Sequence, residues 1–158
     1  MKRLFLVGML VACLGRNGTD KLPKVDFSHG PLSAGWERTT VAGTIASWYH
    51  AGFGATIGVA AQCKDVEDVS LDSLAQQALI GLENREVVEQ GRTPVNGREA
   101  TDWVVKGSLD GVEVTIGLVT LRRGKCVYDL NLVAPPGSFE EARRDFRAFV
   151  GGFEVDSR

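Results

Sequence analysis

The residues able to do chemistry in this 158-residue chain are few and scattered. Three cysteines stand at positions 13, 63 and 126, and two histidines at 29 and 50. A zinc site needs two pairs of closely spaced ligands, and Cys63, Cys126, His29 and His50 supply none. A Ser-His-Asp arrangement through His50 has no local motif to support it, although triads assemble in space rather than in sequence. The most suggestive polar set is Asp102, Asp129 and Asn131, with Glu113 and Thr115 on a neighbouring strand. Carboxylates on paired strands can form an acid/base pair or a cation site. The same pattern also describes a sheet face left in water, which is common in antiparallel sheets. If a helix covers that face, Asp129 requires a partner, for which Arg98 and Arg122 are the candidates. There is no Gly-rich phosphate loop, nucleophile elbow or His-Glu metal helix. The sequence therefore assigns no catalytic residue, metal or cofactor, and the expectation is that the protein is not an enzyme.

The amino terminus carries a clearer message. Lys2 and Arg3 precede the apolar run Leu4–Ala12, which is too short to cross a bilayer as a stable helix. The run ends in Leu10-Val11-Ala12-Cys13, which resembles the lipobox of bacterial lipoproteins. That resemblance implies cleavage before Cys13 and transfer of lipid to its thiol, the small Ala12 fitting the cleavage site. A cleaved secretory signal without lipid is the nearest alternative. The residue after the cysteine is Leu14 rather than Asp, which in a Gram-negative cell implies the outer membrane. The expected location is the cell envelope, lipid-anchored and facing the periplasm or exterior.

Outside the cytoplasm, a cysteine pair such as Cys63 and Cys126 commonly forms a disulfide, the alternative being two isolated buried thiols. The bond would close a loop of about 63 residues, worth roughly 4 kcal/mol in the chain-entropy view. Charge narrows the partners further. The chain carries 18 basic and 20 acidic residues, and without residues 1–12 the balance is 16 against 20. A nucleic-acid surface needs clustered Lys and Arg, so nucleic acid is not an expected partner. The expected partners are membrane lipid through Cys13 and an envelope protein.

These residues need elements to hold them. Residues 14–33 show little periodicity and read as a tether, so that the chain divides into a signal at 1–12, a tether at 13–33 and one domain at 34–158. Strands are predicted at 36–41, 45–50 and 53–63, the last with Phe53, Ala55, Ile57, Val59 and Ala61 on one face. Ser70 caps a helix whose Leu71, Leu74, Ala75, Ala78, Leu79 and Leu82 form one apolar stripe. Strands follow at 85–93, 98–109, from 112 onward, and at 125–133, with hairpin signals at Asn96-Gly97 and Asp110-Gly111. Ser138 and Glu141 have capping-box spacing, opening a final helix with Phe139, Ala142, Phe146, Phe149, Val150 and Phe153 buried. Both helices must dock on the sheet to bury their stripes, giving an α+β sandwich with an antiparallel sheet of six or seven strands.

Over residues 34–155 the chain resembles the PsbP-like fold. The resemblance rests on the element order, the Ser70–Leu82 helix, Val95-Asn96-Gly97-Arg98-Glu99-Ala100, and Cys126-Val127-Tyr128-Asp129 before the last helix. It implies binding or scaffold work rather than catalysis, although fold alone does not fix function. The function expected is thus a membrane-anchored, non-enzymatic binding or assembly role at the envelope. The alternative is a carrier of a small apolar ligand, held between helix and sheet by Phe53, Ile57, Leu79 and Phe146. Trp36, Trp48 and Trp103 are expected in the core, with Trp36 or Trp48 marking a partner patch if exposed.

Overall fold

The computed structural model describes residues 21–156. The segment 1–12 and Cys13 lie outside the described residues. Period-two alternation of apolar residues builds most of the molecule. β2 (Trp36–Thr39), β3 (Ala46–His50) and β4 (Ala55–Gln62) are followed by helix α1 (Leu71–Ala78). Next come β5 (Glu83–Val95), β6 (Arg98–Leu109), β7 (Val112–Arg123) and β8 (Cys126–Ala134), then helix α2 (Phe139–Gly151). These seven strands form one antiparallel sheet in the order β2-β3-β4-β8-β7-β6-β5. The expected strand succession and sheet class hold, and so does the pairing of each predicted hairpin.

Turn chemistry fixes the register. At Asp110-Gly111 both residues have positive φ, 49° and 78°, and at Asn96-Gly97 the values are 49° and 77°. Two successive positive φ angles make the tight hairpin turn whose twist matches that of paired strands. Leu109 therefore faces Val112, and Val95 faces Arg98.

The sheet separates two cores. Ile57, Val59, Leu121, Tyr128, Leu130 and Leu132 point toward α2, which lays Phe139, Phe146 and Phe149 on them. Each such phenylalanine stabilises the fold by about 2–3 kcal/mol through area removed from water. Val105, Ile116 and Leu118 point the other way, against Ala75, Ala78 and Leu79 of α1 and the turn after it. Helix α1 begins as expected, with the Ser73 amide donating to Ser70 Oγ at 3.1 Å. It is regular only to Ala78, and Leu79 and Leu82 complete the buried stripe from a turn.

The start of α2 differs from expectation. Ser138 does occupy the cap position, but its hydroxyl makes no cap hydrogen bond. It donates instead to the Phe53 carbonyl at 2.6 Å, tying the helix start to the entry of β4. A long-range acceptor has displaced the local one.

The segment ending at residue 33 is not a free tether over its second half. β1 (Phe27–Ser28) pairs with β9 (Glu154–Val155), and the Asp156 amide donates to the Asp26 carbonyl at 2.9 Å. Phe27 lies 5.5 Å from Phe153, and His29 stacks on Phe149 at 4.5 Å with its edge toward Trp48 at 4.8 Å. The Gly30 amide donates to the Phe149 carbonyl at 3.0 Å. A Cβ on Gly30 would fall 1.7 Å from the Ala148 carbonyl oxygen, so only glycine permits this approach. From Val25 onward this strap belongs to the sandwich. Val25, Phe27 and Leu32 all pack on the α2-side core, but their spacing follows neither helix nor strand for long enough to be read.

Cys63 and Cys126 are joined by a disulfide, with Cα atoms 4.1 Å apart. The bond follows from register. Gln62 is paired with Val127, so the next residue on each strand comes directly opposite. Among the described residues no helix is long and apolar enough to cross a membrane.

Candidate functional site

The polar set singled out in the sequence is divided by the sheet. Asp102 pairs with Val119 and faces α2, where Arg147 approaches it at 3.6 Å. Glu113 and Thr115 share that face, being two pleats and one pleat from Gly117, which touches Phe146. Asp129 and Asn131 face the opposite way, so no acid/base pair forms between Asp102 and Asp129. Asp129 accepts the Thr120 hydroxyl at 2.7 Å. Of the two expected arginines, Arg122 shares the face of Asp129 on the adjoining strand. Arg122 donates to the Val66 and Val69 carbonyls, holding the loop before α1. Arg98 lines a cleft on the α2 side. Asn131 is buried beside Gly58, where an added Cβ would lie 3.1 Å from Asn131 Oδ1. Among the described residues no three His, Cys, Asp or Glu side chains are placed to hold a metal.

Both histidines serve structure. His29 is in the strap. His50 Nδ1 accepts the Phe53 amide at 3.1 Å, which leaves Nε2 as the protonated nitrogen facing the Ala34 carbonyl at 3.3 Å. Its ring stacks on Phe53 at 4.0 Å and stands beside Trp36 at 5.3 Å. Trp36 is half-buried and donates Nε1–H to Asp145 at 2.8 Å. Trp48 is buried with Arg38 over its ring at 4.7 Å, and Trp103 is buried with Nε1 unpartnered. The four residues expected to line a ligand pocket do not meet. Ile57 and Phe146 lie in the α2-side core and Leu79 in the α1-side core, with the sheet between them.

The apolar concavity is elsewhere, at the end of the sheet where β6 turns into β7. Phe53, Leu109, Val112, Val114, Val133 and Pro135 line a groove of about 440 Å³. That lies within the roughly 300–1,000 Å³ range of small-molecule sites. Leu109 and Val112, on either side of the Asp110-Gly111 turn, form one wall, and Pro135, Gly137 and Ser138 form the other. Phe53 is fixed from two sides, by the His50 ring and by the Ser138 hydroxyl on its carbonyl. Val112, 44 % exposed, stands at the mouth. Glu113 is the single ionisable residue among those lining the groove. The sequence carried a faint signal for it, an apolar residue immediately after a tight hairpin turn.

At the other end of the sheet lies a wider cleft of about 710 Å³ bordered by Lys24, Arg98, Arg123, Tyr128 and Asp156. Burial pushes the Tyr128 phenol above its ordinary pKa, partly countered by the Arg123 charge. The strap enters the domain here. β7, twelve residues long, runs from the groove to this cleft. At about 3.3 Å per residue the two ends are therefore about 36 Å apart.

No family model matches the chain, and neither does any curated protein. Solved structures do. The LpqN structure from Mycobacterium tuberculosis, a protein involved in cell envelope biogenesis, aligns with a TM-score of 0.62 at 11% identity. The alignment covers 88% of each chain. The solution structure of cyanobacterial PsbP (CyanoP) from Synechocystis sp. PCC 6803 aligns with a TM-score of 0.50 at 11% identity, over 90% of this chain and 99% of that one. The fold is PsbP-like. A third match, PA94 of Pseudomonas aeruginosa, a protein of unknown function, has a TM-score of 0.51 at 13% identity, over 82% and 81% of the two chains. At such identities the likeness concerns the fold alone, and within the PsbP-like sandwich the groove is described by this chain's own residues.

Proposed function

We propose that this protein is a non-enzymatic binding protein of the cell envelope, exported by residues 1–12 and anchored through a lipid on Cys13. The observation that carries the reading is the placement of the apolar groove. It opens at the end of the sheet about 36 Å from the entry of the strap, by the strand rise. An anchor on the amino-terminal side would thus present the groove outward from its attachment point. Three further points support it. The Cys63–Cys126 disulfide suits an oxidising compartment. The residues that resembled catalytic candidates have structural duties, His50 holding Phe53 and Asp129 accepting from Thr120. The LpqN structure, which shares the fold, is described as that of an envelope biogenesis protein.

The test is affinity capture of the full chain from detergent-solubilised bacterial membranes, with intact-mass measurement of the captured protein. The expected result is a chain beginning at Cys13 with acyl groups attached, together with a stoichiometric partner lost on Val112→Asp. Recovery of an unprocessed chain, or of the processed chain alone in repeated captures, would overturn the reading. A second reading, a carrier of a small apolar ligand, is favoured by the groove's volume and is taken up next.

A further inference from the structure

We infer that the groove at the β6–β7 turn binds the aliphatic chain of an amphiphile whose head group is neutral or cationic. The inference deepens the binding-protein reading and rests on the same groove. Its walls are aliphatic, Leu109, Val112, Val114, Val133 and Pro135, with the Phe53 ring at one end. Such walls recognise a hydrocarbon by area and shape, since they offer no directed hydrogen bond. The one side-chain hydroxyl among the lining residues is already engaged. Ser138 Oγ is held by the Phe53 carbonyl. That leaves Glu113, exposed and among the residues lining the groove, as the ionisable group that a head at its edge would meet. A carboxylate beside a low-dielectric wall repels an anionic head and attracts a cationic one. At about 5 Å in a largely aqueous rim the combined difference is roughly tenfold in affinity. A free fatty acid or a sulfated chain is therefore disfavoured, and a fatty amine, a quaternary ammonium chain or a glycosidic chain is admitted.

Gly137 offers a clean way to close the site. It lines the groove, has no positive φ, and a Cβ there would meet nothing within 4 Å. Leucine at this position fills the concavity without disturbing the wall. Val112 is exposed at the mouth, so its replacement by Asn removes contact area with little effect on folding.

The experiment uses the full 158-residue chain, oxidised, with Cys13→Ser so that no acyl chain of its own competes. The fluorescence of N-phenyl-1-naphthylamine reports occupancy. Dodecyltrimethylammonium, dodecyl maltoside and dodecyl sulfate, each below its micellar concentration, act as competitors. The expected result is displacement by the first two, with the sulfate roughly tenfold weaker than the ammonium and roughly threefold weaker than the maltoside. Gly137→Leu and Val112→Asn should each weaken probe binding at least fivefold with an unchanged thermal midpoint, and Glu113→Gln should abolish the preference between cation and anion. Equal displacement by all three competitors overturns the head-group assignment. Probe binding indifferent to both Gly137→Leu and Val112→Asn overturns the site. Loss of the ligand with retained capture of a membrane partner would leave the binding-protein reading standing and remove this inference alone.

Discussion

Replacing Gly30 by alanine should loosen the strap from the edge of the α2-side core and leave the α1-side core untouched. The Cβ would sit 1.7 Å from the Ala148 carbonyl oxygen, a backbone atom that cannot rotate away, and a real contact needs at least 3.0 Å. The strap must therefore move by about 1.3 Å or more, the difference of those distances. That displacement ends the 3.0 Å hydrogen bond from Gly30 to Phe149, a loss of about 0.5–1.5 kcal/mol. It also loosens the His29 ring from Phe149 and Trp48, at about 0.5–1.5 kcal/mol per aromatic pair. Alanine returns about 0.4–1 kcal/mol by restricting the unfolded chain. The net expectation is a destabilisation of about 0.5–4 kcal/mol, or roughly 1–16 °C in thermal midpoint for a domain of this size. Urea unfolding gives the first number. Amide exchange locates it, because protection should fall at Gly30 and Asp156 while the amides of β4 and β8 keep theirs. Gly91→Ala is the control, since a Cβ there meets nothing within 4 Å. An unchanged stability with Gly30 still protected would show that the strap does not approach α2 as described.

Replacing both Cys63 and Cys126 with serine releases a loop of sequence separation 63 and should cost about 4 kcal/mol by loop entropy. A denaturation midpoint shifted by under a quarter of that would contradict the entropic account. Ser138→Ala should lower stability by about 1 kcal/mol through the lost bond to Phe53, and the circular dichroism signal of α2 should not change, because this hydroxyl caps nothing. The Arg143–Glu89 pair gives a pH signature. The hydrogen bond from Arg143 holds the Glu89 carboxyl below its ordinary pKa, so the pair stabilises the fold above the ordinary glutamate range and ceases to do so as pH falls through the lowered value. Because Glu89 is half exposed, Glu89→Gln should cost no more than about 1 kcal/mol at neutral pH, and the difference from the parent should vanish under acid conditions when midpoints are compared.

What could be read in advance followed from how far each signal depends on its own neighbours in the chain. The β4 alternation from Ala55 to Ala61 and the Asp110-Gly111 turn are local facts, and β4 and the β6–β7 hairpin stand where those facts put them. The Cys63–Cys126 pairing needed only an expected oxidising compartment and the two cysteines that remain once Cys13 is set aside. The strap was not legible, because Phe27 and His29 have meaning only against Phe153, Phe149 and Trp48, more than a hundred residues away for two of them. Ser138 misled for the same reason, its capping-box spacing being outbid by an acceptor on Phe53. The groove escaped because its walls come from four separate stretches, each of which reads simply as the end of a strand. The pocket expected from Ile57 and Phe146 with Leu79 failed on the sheet itself, whose two faces a linear pattern does not tell apart when both are covered.

The β1–β9 pairing also settles how a pull on the amino-terminal side travels through the molecule. Asp26 and Asp156 are hydrogen-bonded neighbours, so the chain arrives and departs at one corner. Tension arriving at Val25 runs along the axis of a short antiparallel ladder and loads its hydrogen bonds side by side. It then passes through Gly30 into the end of α2, and only then to the sheet. The strap behaves as a strain relief, giving way at the rim before the disulfide-clamped pair β4 and β8 feels any load. A reporter fused after residue 156 would hang beside that same corner, so a carboxy-terminal label senses the amino-terminal side of the domain and leaves the groove unobstructed.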